Sequence, residues 1–155
     1  MADIGSATGL LKGSIYHYFD SKEHILVASL SRLSIFFKDQ VFAIAYEDSK
    51  PASVRLNVML KAIESYFNEH KACTMAHLAL ENISQIPEAE HLLRTFFKEW
   101  HNALAYVFAE KYDQDEAGRL AEDAICSIEG TVIWLKLYGD SHPLTRVCAQ
   151  IMSFL

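Results

Sequence analysis

The stretch that most constrains this chain lies near its start, Thr8-Gly9-Leu10-Leu11-Lys12-Gly13-Ser14-Ile15-Tyr16-His17-Tyr18-Phe19. A glycine between two short helical patterns can take the positive φ of a sharp corner without a Cβ clash, so Gly9 predicts a helix-turn-helix. The preceding helix, Ala2-Asp3-Ile4-Gly5-Ser6-Ala7, is built of small residues that let a second helix approach closely. Ile15 and Phe19 sit one turn apart and are expected to face inward, against Ile4 and Leu10. Lys12, Ser14, Tyr16 and His17 then form a polar, aromatic-bearing edge of the kind a DNA major groove accepts.

The rest of the chain reads as all-α. Half of its residues are apolar, and only six are Gly and three Pro, which favours helices with short connections. Its 155 residues suffice for a sizeable core. A formal charge of −6 excludes a generic polyanion binder, so any role on DNA must rest on a local surface. Cys73, Cys126 and Cys148 are odd in number and widely spaced. With no signal peptide and no long apolar run, they predict reduced thiols, a cytoplasmic location and no membrane partner.

Asp20 with Glu23 has capping-box spacing and opens a long helix whose face is Leu26, Leu30, Leu33, Phe37, Val41 and Ile44. Pro51 is placed to open the next helix, from about 52 to 70, with Leu56, Met59, Leu60, Ile63, Tyr66 and Phe67 inward. A joint at Lys71-Ala72 precedes a helix expected over 73–86 and ended by Pro87. Leu92, Leu93, Phe96, Phe97, Trp100, Leu104, Val107 and Phe108 mark a long helix over 88–111. Asp113 and Glu116 open another that runs through Tyr138 to the stop at Gly139. Asp140-Ser141-His142-Pro143 begins the last helix, with Leu144, Val147, Ile151 and Leu155 as its apolar residues.

Asp3-Ile4-x-x-Ala7-x-Gly9-Leu10, followed by Lys12-Gly13-Ser14-Ile15-Tyr16-His17-Tyr18-Phe19-x-Ser21-Lys22-Glu23, resembles the DNA-binding signature of the TetR family of transcriptional regulators. Glycine, aromatics and lysine fall in register together over about twenty residues, which makes the signal specific. One departure is Leu11, where the family often places a Ser or Thr cap, whose absence costs about 1 kcal/mol. A second is that the family has a helix ahead of Asp3, covering the back of the other two, with which this chain does not begin. The resemblance implies a head over residues 1–24, incomplete at its start, joined by the long helix to an effector-binding and dimerisation bundle over 25–155.

It further implies a repressor released from a palindromic double-stranded DNA operator by a small-molecule effector, without catalysis or cofactor. Lys12, Gly13, Ser14, Tyr16, His17, Tyr18 and Lys22 are the expected DNA contacts. Phe37, Met59, Tyr66, Met75, Trp100 and Trp134 offer large or pliable apolar surface for an effector, with polar contacts from His77, His101 and Asn82. Aromatic and Met residues at helical spacing are plain core more often than pocket lining. The segment from Ala124 to Leu137 is apolar beyond one face, so its helix is either central to a core or shared with a second subunit. In the family the last two helices pair with their symmetry mates, which marks Ile125, Ile128, Val132, Leu135, Val147 and Ile151 as the expected homodimer interface. Two recognition helices related by a twofold axis read half-sites about 34–36 Å apart.

Two other classes compete. A helical small-molecule-binding or dimerisation module without DNA activity follows if the head is incomplete in the native protein. A metal enzyme would use His70, Cys73, His77 and Glu81, spaced three or four apart. A helix break at Lys71-Ala72 would scatter that stripe, so no metal is expected. No GxSxG, HExxH, P-loop or dinucleotide fingerprint accompanies it.

Overall fold

The structure, a computed structural model, describes residues 2–81 and 83–155, apart from the side chains of Ala2 and Lys12. Eight α-helices follow one another among the described residues: α1 (Ala2–Thr8), α2 (Lys12–Tyr18), α3 (Lys22–Gln40), α4 (Ala52–His70), α5 (Thr74–Ala79), α6 (Pro87–Phe108), α7 (Gln114–Tyr138) and α8 (His142–Met152). Two 3-10 segments, Phe42–Tyr46 and Ile83–Gln85, sit at bends between them. The architecture is the all-α one expected, a two-helix head continued through α3 into a helical bundle.

Most boundaries have a local cause. Asp113 accepts the Glu116 N–H at 2.9 Å and starts α7, and Gly139 ends it in the left-handed conformation at φ 69°. Pro87 occupies the first turn of α6, where its missing N–H leaves nothing unpaired. α4 ends at Lys71, a non-glycine residue held at φ 54°.

Three expectations change. The cap of α3 is Ser21, whose Oγ accepts the His24 N–H at 3.1 Å; Asp20 lies outside the helix. α3 stops at Gln40, and Val41 and Ile44, expected on its face, belong to the bend beyond it. The helix expected over 73–86 shrinks to Thr74–Ala79, after which the chain turns through the second 3-10 segment.

One core joins α3 to α8, with Phe37, Phe42, Met59, Ile63, Phe67, Phe96, Trp100, Phe108, Ile128 and Leu144 all buried. Its centre is aromatic. Phe37 meets Phe96 edge-on at 5.2 Å and Tyr66 at 4.7 Å, while Phe42 stacks on Trp100 at 6.3 Å. Such pairs add about 0.5–1.5 kcal/mol each beyond area burial. No described helix is long and apolar enough to cross a membrane.

Candidate functional site

The head is held by two glycines and one isoleucine. Gly9 turns the corner at φ 70°. Gly5 lets α1 approach the turn: a Cβ there would stand 2.8 Å from the Leu10 carbonyl oxygen, and the Leu10 N–H donates to the Gly5 carbonyl at 3.1 Å. Ile15 is buried and Ile4 and Phe19 are half-buried, as the pattern predicts, but Leu10 is exposed.

Of the expected DNA contacts, Gly13, Ser14, Tyr16, His17, Tyr18 and Lys22 are all exposed, and the Lys12 side chain lies outside the described residues. His17 and Tyr18 pack edge-to-face at 5.0 Å. Leu11 provides no side-chain cap to α2.

The expected effector residues do not form one site. Phe37, Met59, Met75 and Trp100 are fully buried in the core, and Tyr66 is half-buried against Phe37 and stacked on His70 at 4.1 Å. His77 is exposed on α5. The His101 Nε2 lies 3.2 Å from the Gly118 carbonyl, so it serves the α6–α7 contact as a donor. Trp134 stands exposed on α7, packed on Tyr138 at 4.3 Å. Asn82 lies outside the described residues.

Open space lies elsewhere. A cleft of about 480 Å³ separates the first turns of α3 from the start of α6, with Val27, Ala28, Ile86 and Leu92 as its apolar wall. Glu23, His24, Ser31 and Glu88 supply its polar wall. A second cleft of about 380 Å³ lies beside Tyr46, Tyr106, Asn102 and Gln114.

The interior also holds polar groups that periodicity does not single out. Glu129 of α7 is half-buried against Cys73, and one of its carboxylate oxygens is fully hidden without a partner. Burial raises its pKa above the ordinary glutamate value, partly offset by the hydrogen bond from the Cys73 thiol. The same burial, with Glu129 beside it, pushes the Cys73 thiol up. Burial takes the Cys148 thiol to about 12, so neither is a ready nucleophile. The signal for Glu129 was its place as the only charged residue between Cys126 and Leu135.

A carboxyl whose pKa is raised on folding stabilises the fold in its protonated form. That contribution is present below the unfolded value of 4.5 and is lost as pH rises through the folded one. Glu129→Gln should therefore raise Tm at pH 7, by about 2–4 °C for each kcal/mol recovered. The gain should vanish near pH 4, and thermal melts across that range test it.

The expected dimer residues divide by face. Ile128, Val132, Leu135 and Ile151 are buried in the chain's own core, and Ile125 and Val147 are half-buried against it. The large apolar residues that α7 turns outward are Ile133, Trp134, Leu137 and Tyr138. The four core-facing residues are thus satisfied within one chain and leave the outward stripe as the unpartnered one.

The His-Cys-His-Glu stripe is broken. His70 ends α4, Cys73 caps α5 with its sulfur accepting the Ala76 N–H, and Glu81 lies past the end of α5. Among the described residues no three His, Cys, Asp or Glu side chains gather where they could hold a metal ion.

A small helix-turn-helix head carried directly on a long helix of a larger bundle defines a helical DNA-binding regulator. Residues 1–28 match the profile described as bacterial regulatory proteins of the tetR family. Residues 54–150 match that of the C-terminal domain of LmrA/YxaF-like transcriptional regulators. The fold is similar to the crystal structure of a TetR transcriptional regulator from Legionella pneumophila, with a TM-score of 0.88 and 25% sequence identity. That likeness covers 99% of this chain and 84% of the other. No curated protein matches the sequence. The chain belongs to the TetR family of transcriptional regulators.

Proposed function

We propose that the chain acts as a homodimeric repressor that leaves a palindromic operator when a small-molecule effector binds. Residues 1–24 serve as the DNA-binding head and 25–155 as the effector-binding and dimerisation part. The observation that carries this reading is the joint between head and body. Only Phe19-Asp20-Ser21 separate α2 from α3; Phe19 packs edge-on against His24 at 5.4 Å, and Ser21 caps α3. A tilt of α3 therefore moves the recognition helix with it, and effector binding in the body changes the spacing of the two heads. The effector acts only through its differential affinity for the two spacings.

In the complex α2 enters the major groove. Tyr16, His17 and Tyr18 reach base edges or phosphates, Gly13 admits the backbone, and Lys12, Ser14 and Lys22 bind phosphate. The test is operator affinity against salt, using the full-length chain and a duplex selected from random sequence. Lys22→Ala should weaken binding to all duplexes alike and lower the salt slope by about 0.9 for each phosphate no longer neutralised. Tyr16→Ala or His17→Ala should weaken it further, and one of them should alter base preference. Unchanged binding in all three variants removes α2 from the interface. A folded chain that binds no duplex leaves the ligand-binding or dimerisation module as its function.

A further inference from the structure

α3 and α6 run side by side in the same direction. Lys38 Nζ meets Glu99 at 3.0 Å toward the far end of α3, and the 480 Å³ cleft lies between the two helices' first turns, next to the head. Its volume is within the range of small-molecule pockets, about 300–1,000 Å³.

The formal charges that line that cleft, beside His24 and Ser31, have one sign. Neither Lys nor Arg lines it, whereas Glu23 and Glu88 stand on opposite sides, one from each helix. The Glu23 carboxyl is held below the ordinary glutamate range by its own backbone N–H and by Ser21, so it is charged at neutral pH. Helix N-termini attract anions, but here each already carries its own acids, Glu23 on α3 and Glu88 and Glu90 on α6. Pro87 has no N–H to offer, and the Ser21 side chain occupies the His24 amide. An added anion would meet two carboxylates. A cation would meet them favourably and could lay an apolar body on Val27, Ala28, Ile86 and Leu92.

We propose that this head-proximal cleft binds an organic monocation with an apolar body. The regulatory consequence rests on the DNA-binding reading, whereas binding itself does not. A ligand here touches α3 within its first turns and α6 in the body, so it favours the head position that gives the cleft its preferred width.

The test titrates the full-length chain calorimetrically with tetraphenylphosphonium and, separately, with tetraphenylborate, which matches it in size and shape with the opposite charge. The phosphonium should bind and the borate should not. Glu23→Gln/Glu88→Gln should weaken the phosphonium at least tenfold, and Ala28→Trp, which fills the cleft, should abolish binding while circular dichroism stays unchanged. Should Ala28→Trp fail to fold, the Gln pair decides alone. Equal binding of both ions, no binding of either, or a phosphonium affinity untouched by the Gln pair overturns the proposal. Operator affinity is measured in parallel with and without the phosphonium. A chain that binds the cation in the cleft but no DNA leaves the site standing and rejects the regulator reading.

Discussion

Lysine placed at both Ile133 and Leu137 should convert a dimer into a folded monomer and weaken operator binding by roughly a hundredfold or more, the loss expected when two linked recognition helices become one. These residues lie one turn apart on the outward face of α7 and are 60% and 69% exposed in the single chain. Trp134 and Tyr138 continue the stripe beside them. A contiguous exposed apolar surface of this kind marks an interaction site, and homodimer interfaces carry an apolar core in which an unpaired charge is costly. Ile128→Lys should behave differently. Ile128 is fully buried within its own chain, so the substitution should unfold the protein. Lys50→Ala, on an exposed loop, should change neither mass nor fold. Light scattering with circular dichroism separates these outcomes. A wild-type chain that is folded and monomeric at micromolar concentration would end the paired-half-site mechanism.

That contrast also shows what periodicity can and cannot resolve. The inner face of α7 is Ala117, Ala121, Ala124, Ile128, Thr131, Val132 and Leu135. Its first half is alanine, which lets α7 lie close to α6, while the bulkiest apolar residues are left outside. Periodicity marks α7 as apolar beyond one face but does not tell which of those residues the chain buries within itself. Punctuation was more legible than facing: Gly9, Asp113 and Gly139 each stand where their backbone chemistry predicts. The end of α3 was not legible, because Val41 and Phe42 are adjacent and both buried. The chain meets that demand by tightening into a 3-10 bend that sets Phe42 against Phe37, Phe96 and Trp100. The cleft beside the head was invisible for another reason. Its two acids are 65 positions apart, and each has a sufficient local explanation as a first-turn residue of its helix.

Arg55→Met should lower stability by about 2–3 kcal/mol, a Tm drop of about 5–10 °C for a chain this size. Arg55 is fully buried in α4, yet its charged end serves four partners. Nε donates to the Lys50 carbonyl at 3.0 Å, Nη1 to the Ala45 carbonyl at 2.5 Å and to Asp48 Oδ1 at 3.3 Å, and Nη2 pairs with Glu110 in the turn just past α6. Tyr106 completes the group, donating to Asp48 at 3.0 Å with its ring 5.9 Å from the guanidinium. One side chain thus closes the bend after α3, the loop that follows it and the end of α6 onto α4. Methionine fills similar volume, so the loss measures hydrogen bonds more than packing. The Ala45 carbonyl, in a fully buried residue, should account for the larger share. Asp48 and Glu110 are 68% and 49% exposed and recover water, which keeps the figure below the 3–5 kcal/mol typical of a broken buried pair. Glu110→Gln should therefore cost less than about 1 kcal/mol. Arg55→Lys should fall between them, because one ammonium cannot reproduce the planar fork that reaches two carbonyls and two carboxylates. Thermal melts of the three variants at neutral pH provide the ranking. An Arg55→Met melt within 2 °C of the parent, about the shift for 1 kcal/mol or less, would mean that water satisfies both carbonyls and that the bend after α3 is held by its aromatic packing alone.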